Sequence, residues 1–261
     1  MRRMPVTQVQ IETTDGNYTA DIVTPEGAGP WPAVILFFDA SGRRPAMTEN
    51  AERIAKSGYL VAIPDIFHRA GNVEKVLPPD ADLSNGVTRA IFSNDSAKKR
   101  FFAEFYGPAL DYKNLETDVG PLLDHLQTRA DVKKGPVGTT GYCMGGNASV
   151  RVATIFGDRI AATASFHGGG LVSDQPDSPH KRAAQIKSKV YVAGAIVDGS
   201  FTDEAKATLT KTLAEAKVPA TVETYQAHHG FAVPDHKGAF DPAAQQRHFE
   251  AMDRLFGETL K

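Results

Sequence analysis

A single cysteine, Cys143, sits in the run Gly141-Tyr142-Cys143-Met144-Gly145-Gly146, with a glycine two residues to either side. A thiol in such a place can serve as a nucleophile if a base and an orienting acid stand beside it. The preceding Pro136-Val137-Gly138-Thr139-Thr140 can form a strand, and Asn147 to Ala153 can continue as a helix. Strand, tight turn and helix make a nucleophile elbow, with cysteine where serine commonly stands. The backbone of that turn is strained, so its close neighbours must be nearly without side chains. Gly141 and Gly145 meet the demand. A helix N-terminus favours a thiolate, and the N–H of Met144 can face an oxyanion. Taken alone, the same residues also fit a glycine-rich turn around a buried structural cysteine.

Two further residue types are needed, an acid and a histidine. Asp198 follows the apolar run Val190 to Ile196, and His229 follows Ala220 to Tyr225. The order is nucleophile, acid, histidine, each after a strand-like segment, and such an order suits acyl transfer. Each member has a plainer reading. Asp198-Gly199 is a turn signal. His229 also fits a surface loop, and His228 competes with it for the role. His167 ends another strand and either lines a pocket or is a hydrogen-bonded structural residue. A second oxyanion donor is expected from the loop after Ala33 to Phe38, at the N–H of Ala40 beside Asp39. Arg43, Arg44, His68 and Arg69 lie near other strand ends. Arg44 and Arg69 are candidates for holding a substrate carboxylate, which guanidinium matches with two parallel bonds.

These residues need a scaffold that brings strand ends together. Val6 to Thr13 and Tyr18 to Val23 alternate like strands around Asp15-Gly16 and form an antiparallel hairpin. Ala33 to Phe38 and Tyr59 to Ile63 are continuously apolar, as strands buried on both faces are. Helices are expected over Met47 to Ser57, with Gly58 as stop, and over Asp95 to Tyr106, Asn114 to Thr128, Asp203 to Lys217 and Pro242 to Leu260. Ile160 to Phe166 is a further strand. Alternation of strand and helix predicts an α/β fold, a mainly parallel sheet with helices on both faces. Asn72 to Asn94 has little period and reads as a long loop or a cap over a site. The 261 residues are expected to form one domain, 1–261.

Composition narrows the function. Apolar residues make up 41% of the chain, charged residues 23%, and the net charge is −2 with both signs interspersed. This argues against a nucleic-acid surface. No apolar run reaches the roughly 18 residues of a membrane span. Arg2 and Arg3 are followed by no apolar stretch, so no signal peptide is read. A lone thiol suits a reducing compartment, and a cytoplasmic location is expected. Nothing in the sequence indicates an oligomeric state.

The segments Phe38-Asp39-Ala40-Ser41-Gly42, Pro64-Asp65-Ile66-Phe67, Gly141-Tyr142-Cys143-Met144-Gly145-Gly146, Val197-Asp198 and His229-Gly230-Phe231 are similar to those of dienelactone hydrolases (carboxymethylenebutenolidases), within the α/β-hydrolase superfamily. The resemblance runs over nearly the whole chain. It implies a Cys143, His229, Asp198 triad, and it selects His229, which precedes Gly-Phe, over His228. It implies hydrolysis of a small lactone or ester through a thioester, without a metal or cofactor. The family places a carboxylate, usually glutamate, after the third strand to activate the thiol, and Asp39 occupies that place one methylene shorter. The family also uses an arginine shortly after the histidine, where Phe231-Ala232-Val233 offers none. Two other functions remain open at this point. One is a general small-ester carboxylesterase. The other is a non-catalytic protein that uses Cys143 as an oxidisable thiol.

Overall fold

Continuous apolar runs that cannot face water on either side must lie in the middle of a sheet. The computed structural model, which describes residues 4–261, places them there. Arg2 and Arg3 lie outside the described residues. Eight strands form one sheet in the order β1-β2-β4-β3-β5-β6-β7-β8. β1 (Val6–Ile11) and β2 (Tyr18–Val23) form the antiparallel hairpin, and β2 runs antiparallel to β4 (Leu60–Pro64). From β4 through β3 (Ala33–Phe37), β5 (Val137–Tyr142), β6 (Ile160–Phe166) and β7 (Lys189–Val197) to β8 (Ala220–His228) every pairing is parallel. The residues of β3, β4 and β5 are all buried. All six parallel strands therefore point their carboxyl ends to one rim, where sites form in such sheets.

Helices connect the parallel strands. α1 (Pro45–Lys56) starts with proline at its first turn and stops where Gly58 adopts φ 90°. Gly58 closes the helix by donating its N–H to the Ala55 carbonyl. α6 (Met144–Phe156) is buried along almost its whole length between β5 and β6. α7 (Asp203–Glu215) and α8 (Pro242–Thr259) follow β7 and β8. Among the described residues no helix is long and apolar enough to cross a membrane.

The long passage from β4 to β5 differs from the sequence reading. Residues 72–94 hold a 3₁₀ turn (Val73–Val76) and a short helix α2 (Val87–Phe92), rather than only loop. Neither is long enough to show a period in sequence. The helix expected over Asp95 to Tyr106 begins as α3 (Asp95–Phe101), widens into a π-turn (Phe102–Tyr106) and resumes as α4 (Gly107–Leu110). Pro108 accounts for the widening, because it has no N–H to give the Glu104 carbonyl. Gly107 instead donates to the Phe102 carbonyl, five residues back. α5 (Tyr112–Thr128) completes the passage. Phe101 and Phe105 pack under this cap, and Phe67 bridges from Phe105 (5.0 Å) to Phe38 (4.9 Å) at the end of β3.

Candidate active site

Cys143 occupies the turn between β5 and α6 with φ 53° and ψ −118°, a conformation costly for a side chain-bearing residue. The glycines on either side explain how the turn is possible. A Cβ on Gly141 would run into the Gly145 carbonyl, and one on Gly145 into the carbonyls of Phe37 and Phe38. The elbow is thus pressed onto the end of β3 by backbone-to-backbone contact. Met144 is the first residue of α6, so its N–H has no intrahelical acceptor. The Ala40 N–H likewise has no acceptor among the described residues. Both expected oxyanion donors are therefore unengaged.

Asp198 and His229 meet beyond the ends of β7 and β8. His229 Nδ1–H donates to Asp198 Oδ2 at 2.8 Å. Asp198 Oδ1 accepts the Ser200 N–H at 2.9 Å and the Ser200 hydroxyl at 2.6 Å. β8 runs three residues further than the sequence pattern indicated, to His228, which pairs with Val197 and is exposed. His229 comes next and turns the other way, toward the elbow. Burial pulls the His229 imidazole down, but the charge and hydrogen bond of the Cys143 sulfur, together with Asp198, hold its pKa well above the usual histidine value. Asp198 resists its own burial through the His229 and Ser200 bonds and sits below the usual carboxylate range. The structure thus joins His229 to Asp198 by a hydrogen bond and sets the pair close enough to Cys143 for the sulfur to act on the His229 pKa.

Other expected residues have different partners. Asp39, 1% exposed, forms a two-bond ion pair with Arg44 (2.6 and 2.9 Å) and accepts the Ser41 N–H at 2.9 Å. Among the described residues no hydrogen bond links it to Cys143. Arg44, expected to hold a substrate carboxylate, pairs instead with Asp39 and Asp235. Arg69, given the same role, pairs with Asp15 on the hairpin connection and Asp118 on α5. His167 does not line the cavity. It is fully buried with φ 40°, its ring 5.1 Å from that of His229 and 4.9 Å from that of Phe231. Burial, with His229 beside it, holds its pKa well below the usual value, so it packs behind His229 as a neutral ring.

A cavity of about 380 Å³ opens in front of His229. Its walls include Ser41 and Arg44 from the β3 loop, His236 from the β8 loop, and Val87, Arg89 and Phe92 from α2. The unread stretch of sequence is therefore the roof of this cavity. Ser200 was also missed, although an Asp-Gly-Ser turn carries the signal for it. Tyr106, at the end of the π-turn, is a further omission. Burial, with the nearby Cys143 charge, pushes its phenol up to about 12. A regular helix over those residues would have pointed it elsewhere.

The fold and the chain have counterparts among known proteins. A Synechocystis sp. protein assigned as a carboxymethylenebutenolidase is 24% identical over 245 residues, covering 92% of this chain and 91% of its own. A carboxymethylenebutenolidase of Rhodococcus opacus is 24% identical over 205 residues, 78% of this chain and 71% of its own. A crystal structure from Klebsiella pneumoniae, of a protein assigned as a dienelactone hydrolase, superposes with TM-score 0.81 at 19% identity, over 98% of this chain and all of that one. At that identity the superposition speaks for the fold alone. The model of the dienelactone hydrolase family matches residues 19–260. The chain belongs to the dienelactone hydrolase family, within the α/β-hydrolase superfamily.

Proposed function

We propose that the protein is a cysteine hydrolase of small carboxylic esters or lactones, with Cys143 as nucleophile, His229 as acid and base, and Asp198 as its orienting carboxylate. The observation that carries the reading is the His229–Asp198 hydrogen bond at the same rim of the sheet where the β5–α6 elbow presents Cys143. The raised His229 pKa suits the imidazole to take and hold the proton of the thiol, so the nucleophile needs no further base. The sulfur attacks the carbonyl carbon, and the resulting oxyanion is met by the N–H groups of Met144 and Ala40. Collapse expels the alkoxide, which takes the proton from His229, and leaves a thioester. Water then attacks the thioester while giving a proton to the now neutral His229. The second tetrahedral species releases the acid and restores the sulfur anion and imidazolium.

The substrate class follows from the cavity. Phe231, Ala232 and Val233 after the histidine are fully buried, so no cation reaches the cavity from there. Arg44 and Arg69 are engaged elsewhere. Arg89 alone among the cavity's guanidinium groups takes part in no ion pair among the described residues. Lys237 also lines the cavity, its Nζ donating to the Ser84 carbonyl. Arg89 and Lys237 are therefore the cations offered to a substrate, which supports small esters and lactones that carry a carboxylate as well as neutral ones.

The test is hydrolysis of p-nitrophenyl acetate and of a dienelactone by the wild type and Cys143→Ala. Turnover of the ester by the wild type, abolished in Cys143→Ala, is the expected result. Full activity in Cys143→Ala would remove the mechanism. Preference for the lactone would move the substrate toward the carboxylate-bearing class.

A further inference from the structure

Arg44 makes an unusually complete set of bonds. Its Nε donates to Asp235 Oδ2 at 2.7 Å, and one terminal nitrogen donates to Asp235 Oδ1 at 2.8 Å and to Asp39 Oδ2 at 2.9 Å. The other donates to Asp39 Oδ1 at 2.6 Å and to the Gly42 carbonyl at 3.2 Å. A guanidinium has five N–H donors, and all five are used. None remains for a substrate. The two carboxylates belong to different loops. Asp39 leads the β3 loop, immediately before Ala40, and its side chain also accepts the Ser41 N–H. Its carbonyl accepts the Gly42 N–H, so the Asp39 to Gly42 turn is closed from both ends. Asp235 lies in the loop that carries His229, 191 residues after Arg44. His236 flanks the cluster, with Nε2 3.6 Å from Asp39 Oδ2.

A carboxylate that removes a proton from a thiol must have an oxygen free to face it. Asp39 Oδ1 accepts from both Arg44 and Ser41, and Oδ2 accepts from Arg44 with His236 Nε2 3.6 Å away. None of these partners is Cys143, and the side chain is almost wholly buried. An oxyanion donor needs the opposite property, a fixed direction. The turn that fixes Ala40 is the one Asp39 closes.

We propose that Arg44 is a positioning residue that ties the Asp39–Gly42 turn, and with it the Ala40 N–H, to the His229 loop, so that Asp39 serves the oxyanion donor rather than deprotonation of Cys143. This rests on the ester-hydrolase reading above. The strap sets the distance between the oxyanion donor and the proton-transfer group, which belong to loops with no covalent connection nearby.

The experiment compares two rates at Cys143. Ester hydrolysis passes through an oxyanion, whereas alkylation by iodoacetamide displaces iodide at a saturated carbon and forms none. Wild type, Arg44→Gln, Asp39→Asn and Asp235→Asn are measured for kcat and KM on p-nitrophenyl acetate, and for alkylation rate against pH. Loss of a well-aimed oxyanion donor costs about 10²–10³-fold, so a loosened one is expected to lower kcat by about 10- to 100-fold in Arg44→Gln and Asp39→Asn. KM and the alkylation profile are expected to stay within about twofold of the wild type. Asp235→Asn keeps both Arg44 bonds to Asp39 and is half exposed, so it carries the test if the buried variants fold poorly; a loss of kcat alone is again expected. Alkylation falling in step with kcat would overturn the proposal in favour of thiol activation. A raised KM with unchanged kcat, or no change at all, would overturn it too. A wild type inactive on the ester, or an active Cys143→Ala, would instead remove the hydrolase reading beneath it.

Discussion

Asp198 holds His229 with one carboxylate oxygen, at 2.8 Å, while Ser200 holds the other oxygen through both its N–H and its hydroxyl. The carboxylate is thus fixed in plane before the histidine reaches it. Asp198→Asn is expected to lower kcat/KM by about 10²–10⁴-fold through loss of the imidazole's orientation. Asp198 is one of the groups that raise the His229 pKa. Its removal lowers that pKa, so the imidazolium that protonates the leaving group is lost at lower pH. The alkaline limb of the pH–rate profile should move down. Ser200→Ala keeps the Asp198 charge beside His229, so the limb should move much less, with a loss of about tenfold, in keeping with one hydrogen bond to a charged group. An unmoved limb in Asp198→Asn would separate Asp198 from the chemistry.

Gly145 touches the Phe37 and Phe38 carbonyls so closely that no Cβ fits. Gly145→Ala must push β3 from the elbow, and a destabilisation of about 3 kcal/mol or more is expected, as for severe overpacking. Gly257 in α8 has open space around the position of a Cβ. There Gly257→Ala should stabilise by about 0.5–1 kcal/mol, the helix-propensity difference. Urea unfolding of the two variants should move the midpoint in opposite directions.

His248 is fully buried under Phe166 and Tyr142, and burial pushes its pKa down to about 3. Its Nδ1–H donates to the Gln245 carbonyl, leaving Nε2 to accept from the Tyr142 hydroxyl at 3.1 Å. Below an ordinary histidine pKa of about 6.5 the unfolded chain binds a proton that the folded chain refuses. Stability therefore rises with pH between about 3 and 6.5, by at most about 5 kcal/mol from this group across the window. His248→Phe should be less stable at pH 7, since it strands the tyrosine hydroxyl, yet lose less stability between pH 6.5 and 4. Unfolding curves at several pH values would show equal slopes if His248 were not the acid-sensitive group.

Arg69 compensates Asp118, which is 2% exposed and also accepts from His68 at 3.1 Å. Arg69→Ala leaves that carboxylate buried with its charge uncompensated, and a loss of about 3–5 kcal/mol is expected. KM should stay within about twofold. A selective rise in KM at unchanged stability would restore Arg69 as a substrate-binding residue.

The sequence made the elbow readable because only glycine fits at positions 141 and 145, and the parallel strands readable because both faces are buried. His228 and His229 could not be separated by residue type. The separation comes from strand alternation, once β8 is known to extend to His228. Residues 72–94 hid the cavity roof because a six-residue helix shows less than two turns of pattern. The π-turn hid Tyr106, since the widened turn over Phe102–Tyr106 breaks the regular helical step that the sequence pattern assumes. Arg44 looked free in sequence because both of its partners are set by the fold, and Asp235 lies 191 residues away.

The strands that carry the nucleophile, the acid and the histidine lie along the sheet in chain order, β5, then β7, then β8. A ribosome therefore delivers Cys143 before the residues that would charge it. At about 5–20 residues per second the interval is on the order of ten seconds. Throughout it the thiol has neither His229 nor Asp198 beside it. Under the proposed mechanism the sulfur meets its partners only when the last strand docks, so a stalled or misfolded nascent chain carries Cys143 without the groups that would arm it.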